Sequence, residues 1–229
     1  MYPEKTVQWC IQSDEEDVLF GPARGCDEFE QRVLEFDGPS DGFGPSTDDE
    51  VLFVLKGTGI ARVAGNQTEL ARGTAVYVAA GSEWSIEQAS GLRVLSVLVR
   101  QPLPSNGVAY SVVGLDDVEA DEATAGRMFR LLAPSPSVTQ FVGYIPPGRA
   151  PDHYHRYDEV VYVLQGDGAL HIDGESAPLR PGSCIHLPAK IVHSLENHGP
   201  GEMHVLGVFR PAGSPAEAYY VDGTPAYQY

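Results

Sequence analysis

The sequence predicts an all-β protein made of two consecutive β-domains, and two observations support this prediction. Short apolar runs rich in valine and aromatic residues, such as 51–55 and 160–164, are bounded by glycines, which is typical of strands. The segment DDEVLFVLKGTGIARVAG begins at Asp48, and the similar segment YDEVVYVLQGDGALHIDG begins 109 residues later at Tyr157. The chain therefore contains an internal repeat.

The repeat also predicts where the domains lie. Ten of the 25 positions from 49 to 73 are identical at the 109-residue offset without a gap, and four of them are glycines suited to hairpins or turns. The segment 101–107, QPLPSNG, has the composition of a linker. We therefore predict an N-terminal domain over 1–105 and a C-terminal domain over 106–229. The best candidates for helices are two short segments, Asp27–Leu34 and Asp116–Arg127.

Composition and charge exclude several classes of function. The net charge is −17, with 32 acidic and 15 Lys and Arg residues and no basic cluster, which argues against binding to nucleic acids or anionic membranes. No apolar run approaches the ~20 residues of a membrane span, and the N-terminus has no apolar signal core. Three widely spaced cysteines do not form a disulfide framework. We expect a cytoplasmic protein.

The histidines mark the chemistry of the C-terminal domain, because all seven lie between 153 and 204. His153, His155 and Glu159 share strand parity, so their side chains can point the same way. His193 follows after further glycine-bounded strands. Three neutral imidazoles and one carboxylate suit one divalent first-row metal, Mn, Fe, Ni, Co, Cu or Zn, with coordination positions left for a ligand.

Both histidine segments resemble the two sequence motifs of the cupin superfamily. The match has two departures: four residues instead of five separate Gly148 from His153, and Lys190 replaces a motif glycine. The matching residues are Gly148, His153, His155, Glu159 and Gly166 in the first motif and Gly182, Pro188, His193 and Asn197 in the second. The resemblance implies two tandem double-stranded β-helix (jelly-roll) barrels and a homodimer. It implies that His153, His155, Glu159 and His193 are the metal ligands.

The N-terminal domain resembles the same superfamily in the arrangement of its strands and turns, but not in its ligand residues. At the 109-residue offset the three histidine positions hold Gly44, Ser46 and Trp84, and only Glu50 remains. One carboxylate does not make a transition-metal site. Trp84 indicates a filled barrel interior and a structural role, and a metal-free pocket for a small apolar or sugar-like ligand is the alternative.

Four further residues are candidates for a substrate pocket. Phe141 and Ile145 precede the first motif and are predicted to form an apolar wall. Arg149 either binds a substrate carboxylate or enolate oxygen or is a surface arginine. Tyr157 either orients a substrate or caps a strand.

The resemblance implies several activities, since oxalate decarboxylases, germins, acireductone dioxygenases and flavonol-cleaving dioxygenases share this ligand set. We favour a metal-dependent dioxygenase or related lyase that acts on a small oxygen-bearing organic molecule, with Glu159 able to accept a proton. The alternatives are a small-ligand-binding protein, a protein with a structural metal, and a zinc-type isomerase or hydrolase.

Overall fold

The computed structural model describes residues 10–13 and 18–226, and these residues form two compact units. We call them the N-terminal barrel, residues 18–119 and Leu132–Val138, and the C-terminal barrel, residues 10–13, Ala120–Leu131 and 139–226. The prediction that the N-terminus has no signal core concerns residues that are mostly outside the described part of the chain, since residues 1–9 and 14–17 are not described. None of the described helices is long and apolar enough to cross a membrane.

The N-terminal barrel is one antiparallel sheet in the order β2-β3-β7-β4-β6-β8, with β5 paired to β4. Its strands are β2 (Val18–Phe20), β3 (Phe29–Phe36), β4 (Asp49–Val63), β5 (Asn66–Ala71), β6 (Thr74–Val78), β7 (Trp84–Val99) and β8 (Tyr110–Gly114). The long strands β4 and β7 shift register near Gly57, whose φ is 79°. A Cβ at Gly57 would lie 2.2 Å from the carbonyl oxygen of Gly91, so only glycine allows this close approach.

The C-terminal barrel consists of two antiparallel sheets. Its strands are β1 (Cys10–Gln12), β9 (Asp121–Glu122), β10 (Met128–Pro134), β11 (Thr139–Ile145), β12 (Gly148–Arg149), β13 (His153–Tyr154), β14 (Asp158–Gln165), β15 (Gly168–Ile172), β16 (Glu175–Leu179), β17 (Ser183–Leu187), β18 (His193–Asn197), β19 (Met203–Arg210) and β20 (Tyr219–Tyr220). One sheet has the order β1-β17-β14-β19-β11-β10-β9, and the other β16-β15-β18-β13-β20 with β12 on β18. Residues of both sheets, among them Val161, Leu170 and Leu195, form its core.

Equivalent hydrogen bonds support the internal repeat. The amide of Ala80 donates to Asp49 Oδ1 at 2.8 Å, and the amide of Ala189 donates to Asp158 Oδ1 at 3.0 Å. In the same way, Gly73 donates to the carbonyl of Val54 and Gly182 to that of Val163, both at 2.9 Å. Each pair differs by 109 residues, so the two barrels use the same turns after the same strands.

The units differ from the predicted division at 105/106, because they exchange segments. Strand β8 and its flanking residues up to 119 belong to the N-terminal barrel. The segment Leu132–Val138 does so too, and it includes the last three residues of β10, whose first four residues belong to the C-terminal barrel. Strand β1, near the start of the chain, pairs with β17 of the C-terminal barrel. A linker composition at 101–107 does not show these exchanges, since pairing between distant strands depends on tertiary structure.

Both helical expectations are wrong. Phe29–Phe36 forms strand β3, and its charged residues pair across strands: Arg32 contacts Glu50 at 3.3 Å, and Arg100 contacts Glu30 at 2.9 Å. The segment 116–127 contains part of a short 3-10 turn, Leu115–Asp117, then β9 and a turn with positive φ at Ala125 and Gly126. Pairing within the sheet outweighs helical spacing of charges in these segments.

Candidate metal centre

Three buried histidines meet in the C-terminal barrel. His153 on β13 lies opposite His193 on β18, and His155 follows β13 directly. One ring nitrogen of each histidine lies within 4.8 Å of the others. The ring centroids are 4.7 Å apart for His153 and His193 and 5.2 Å apart for His153 and His155. Strand pairing therefore brings together residues that are separated by about 40 positions in the sequence.

Backbone carbonyls fix the orientation of each imidazole. The Nδ1 atoms of His153, His155 and His193 lie 2.8, 2.9 and 3.0 Å from the carbonyl oxygens of Pro151, Glu217 and Ile191. Because a carbonyl oxygen can only accept, each Nδ1 must carry the proton and donate it. Each Nε2 is then the unprotonated nitrogen that can bind a metal, an arrangement common among metal-binding histidines.

Burial keeps these imidazoles neutral. It lowers the pKa of His155 to about 3, that of His193 to about 4 and that of His153 well below its usual value. The positive charge of Arg127 lowers all three further. Neutral imidazole is the form that binds metal, so protons do not compete for this site near neutral pH. The donor set fits a divalent first-row transition metal.

Glu159, the fourth predicted ligand, lies on the wall of the same cavity. It is buried on β14, opposite Leu187 and Phe209 on the neighbouring strands. Among the described residues, the cluster of ligand atoms contains the three imidazoles but not its carboxylate. Burial raises the pKa of Glu159 to about 8, against the opposing effect of Arg127. Coordination by Glu159 therefore stays a prediction.

The histidines open onto a cavity of about 70 Å³. Its wall is mainly apolar, and apart from the phenol of Tyr144 its ionisable side chains are the three histidines, Glu159 and Arg127. The other residues of the wall are Ala123, Met128, Phe129, Phe141, Gly143, Tyr144, Ile145, Leu187, Leu195, Val205, Phe209 and Pro215. An apolar cavity with a few convergent polar groups is the usual form of a small-molecule site.

The four predicted pocket residues divide into two pairs. Phe141 and Ile145 line the cavity. Arg149 is not among its wall residues; its guanidinium donates to Ser194 Oγ at 2.9 Å and to Asp152 at 2.7 Å. Tyr157 is also absent from this wall. Proline at 151 separates Arg149 from the histidine strand, so strand parity does not carry across it.

Tyr157 instead contacts the segment that orients His155. Its hydroxyl donates to the carboxylate of Glu217, whose backbone carbonyl accepts from His155 Nδ1. Its ring packs against Phe209, with centroids 5.1 Å apart. The side chain therefore helps to hold the segment that orients His155.

Arg127 is the site residue that the sequence did not indicate. It follows the turn between β9 and β10, and its Nε donates to the carbonyl of Thr124 at 3.0 Å while Nη2 donates to Thr124 Oγ1 at 2.8 Å. Arg127 ended a segment for which we predicted a helix, and it lies 26 residues before the first histidine of the motif. Only tertiary structure places it on the cavity wall.

Comparison with known proteins agrees with this architecture. A family model for the cupin domain matches residues 141–209, which include the three histidines and Glu159. Protein SchB of Streptomyces halstedii is 30% identical over 117 residues, which cover 48% of this chain and 85% of that protein. The chain belongs to the cupin superfamily.

One further sequence match and one structural match show how far the similarity to known proteins extends. Quercetin 2,3-dioxygenase of Bacillus subtilis is 33% identical over 132 residues, which cover 51% of this cupin and only 38% of the dioxygenase. The crystal structure of protein Ylba from E. coli superposes with a TM-score of 0.73 at 16% identity and covers 90% of this chain and 91% of that chain. The second likeness shows the fold alone.

In the N-terminal cupin barrel, a hydrogen-bonded carboxylate lies in the region where the C-terminal barrel has its histidine cluster. Trp84, at the position equivalent to His193, donates from Nε1 to Glu50 Oε2 at 2.7 Å. Ser96 Oγ donates to Glu50 Oε1 at 2.5 Å. Phe43 stacks on Trp84 with ring centroids 4.2 Å apart. Trp84 and its neighbours therefore occupy the region in which the C-terminal barrel holds imidazoles.

Replacing Glu50 with Ala is expected to lower the free energy of unfolding by about 2–3 kcal/mol, because the buried Trp84 Nε1–H and Ser96 hydroxyl lose their acceptor. Urea denaturation followed by circular dichroism measures the change. Glu50→Gln keeps a carbonyl acceptor and is the matched control, with a smaller expected loss. Metal content should be unchanged in both variants. Wild-type stability in Glu50→Ala would show that this carboxylate does not stabilise the barrel.

Proposed function

We propose that this cupin is a metal-dependent enzyme, a dioxygenase or related lyase, that acts on a small oxygen-bearing organic substrate in the C-terminal barrel. The observation that supports it most is the set of three neutral, carbonyl-oriented imidazoles that open onto an apolar cavity. A purely structural site needs no such cavity beside its ligands.

His153, His155 and His193 would hold one divalent ion per chain, with Glu159 as the proposed fourth ligand. The ion would supply a Lewis acid for a substrate oxygen and, if it is redox-active, a path for electrons to O₂. Similarity to a quercetin 2,3-dioxygenase supports the dioxygenase branch.

The protein's own side chains would exclude water and handle protons. Phe141, Ile145 and Leu195 line the cavity beside the histidines, so a bound substrate is surrounded by apolar groups. In the metal-free protein, burial raises the pKa of Glu159 to about 8, so its carboxyl group holds a proton near neutral pH. If the three imidazoles alone hold the ion, Glu159 keeps this proton and can exchange it with a substrate oxygen in the cavity. Homodimer formation and a cytoplasmic location stay predictions.

Oxygen consumption tests the proposal. We expect chains loaded separately with Fe, Mn, Ni, Co or Cu to consume O₂ in the presence of a matching diol, enediol or flavonol, and His153→Ala chains to consume none. Zinc-loaded protein is the redox-inert control. Substrate conversion by the zinc form without O₂ uptake would favour an isomerase or hydrolase. Binding without conversion under all metals would favour a small-ligand-binding protein.

A further inference from the structure

Arg127 brings a cation to the wall of the cavity in a strongly acidic protein. Its guanidinium lines the cavity together with the three histidines and Glu159. Its positive charge lowers the pKa of all four of these side chains, in agreement with its position on the cavity wall. The chain as a whole carries a net charge of −17, so general surface charge does not explain a guanidinium in this position.

The structure holds Arg127 in place without neutralising it. Both of its hydrogen bonds go to Thr124, whose carbonyl and hydroxyl oxygens are uncharged. Thr124 is itself buried. In the described part of the chain, no carboxylate lies within ion-pair distance of the guanidinium. Arg127 itself is partly buried. Removing part of a cation's surface from water without an anionic partner costs free energy, whereas a pairing anion offsets that cost.

We propose that Arg127 binds a carboxylate group of the substrate, so that the site selects small carboxylic acids whose remaining part is apolar. A planar guanidinium matches a carboxylate in geometry and charge, and Nη1 takes no part in the two bonds to Thr124. The apolar part would lie against Phe129 and Phe141, which line the same cavity. This assignment rests on the proposed function only in calling the bound acid a substrate.

Binding of a matched acid and amide tests the proposal. The probes are isobutyrate and its neutral isostere isobutyramide, titrated by NMR or calorimetry into the metal-free full chain, so that no bound ion can attract the carboxylate itself. We expect the wild type to bind isobutyrate at least about tenfold more tightly than isobutyramide. Arg127→Met should remove this preference, and Arg127→Lys should keep part of it, because lysine retains the charge without the planar fork.

Arg130→Met is the control for a general loss of positive charge. Arg130 lies three residues further along, on β10, but its guanidinium lies over the ring of Tyr144, 5.8 Å from the centroid, and it is not part of the cavity wall. This variant should keep the wild-type preference. Equal metal content in all four proteins shows that the site has folded.

An equal preference in wild type and Arg127→Met, or no preference in the wild type, would overturn the proposal. These results are separate from those for the proposed function. A carboxylate preference that depends on Arg127 in a protein without O₂ uptake or turnover would support the anion site and contradict the enzyme. Turnover of a neutral substrate with unchanged kcat/KM in Arg127→Met would support the enzyme and contradict the anion site.

Discussion

His193→Ala is expected to abolish binding of the divalent ion. The metal content should fall from about one ion per chain to nearly none, because two imidazoles on a wall that is otherwise mainly apolar hold an ion poorly. His193 lies directly opposite His153 in the strand pairing, so its loss removes one side of the cluster. The measurement is elemental analysis of protein purified from metal-supplemented medium, with thermal unfolding by circular dichroism as the check of folding.

His198→Ala is the matched control for this experiment. It removes an imidazole five positions further along, where the side chain is about half exposed and contacts Glu196 at 3.4 Å. This variant should keep the wild-type metal content. A wild type that contains no metal even after supplementation would contradict the metal centre. A wild type that contains about one zinc ion would shift the expected chemistry towards isomerase, hydrolase or structural roles.

The repeat and the clustering of His153, His155 and His193 could be predicted because they follow from sequence motifs. Glycines at turns and apolar runs repeat at a fixed offset, and the equivalent bonds of Asp49 and Asp158 show that this offset has structural meaning. His153 and His155 have strand spacing, and His193 has the spacing of a second motif. The motif spacing identified these residues, but the argument from shared strand parity was wrong. His155 lies beyond the end of β13, and Glu159 lies on β14 in the other sheet, so the chain turns between them.

The rest of the site depends on tertiary contacts that no local pattern contains. Arg127 reaches the cavity through a turn with positive φ at Ala125 and Gly126, within a segment that shows helical spacing. Arg149 shares parity with the histidines, yet it binds Ser194 and Asp152. Arg149 follows a glycine of the first motif and was therefore a candidate from the sequence. Arg127, which lines the cavity, belongs to neither motif.

The two barrels show how one carboxylate position takes different roles. Glu50 accepts hydrogen bonds from Trp84 and Ser96, and Arg32 lies 3.3 Å away, so its charge is compensated within the protein. Glu159 lies at the equivalent position among neutral imidazoles. Where an indole stands in place of the imidazole, the carboxylate is therefore a structural hydrogen-bond acceptor, and the histidine cluster that could hold a metal lies in the C-terminal barrel.

Proton release on metal binding is expected to decide the role of Glu159. With a pKa of about 8, its carboxyl group is protonated at pH 7 in the metal-free protein. If Glu159 becomes a ligand it must lose that proton, so Mn²⁺ binding at pH 7 should release about 0.9 proton per ion. The apparent affinity should then rise about ninefold from pH 6 to pH 7 and about fivefold from pH 7 to pH 8, and level off above pH 8. Calorimetry in two buffers of different ionisation enthalpy measures the release.

The Glu159→Gln variant distinguishes a proton released by Glu159 from a proton released by a water molecule bound to the ion. The histidines contribute none between pH 6 and 8, because His155 and His193 have pKa values of about 3 and 4 and that of His153 is well below its usual value. The variant should therefore release no proton and bind Mn²⁺ with little dependence on pH. If the wild type behaves in the same way as Glu159→Gln, three imidazoles hold the ion alone. Glu159 would then remain a protonated acid in the cavity, free to serve the substrate instead of the metal.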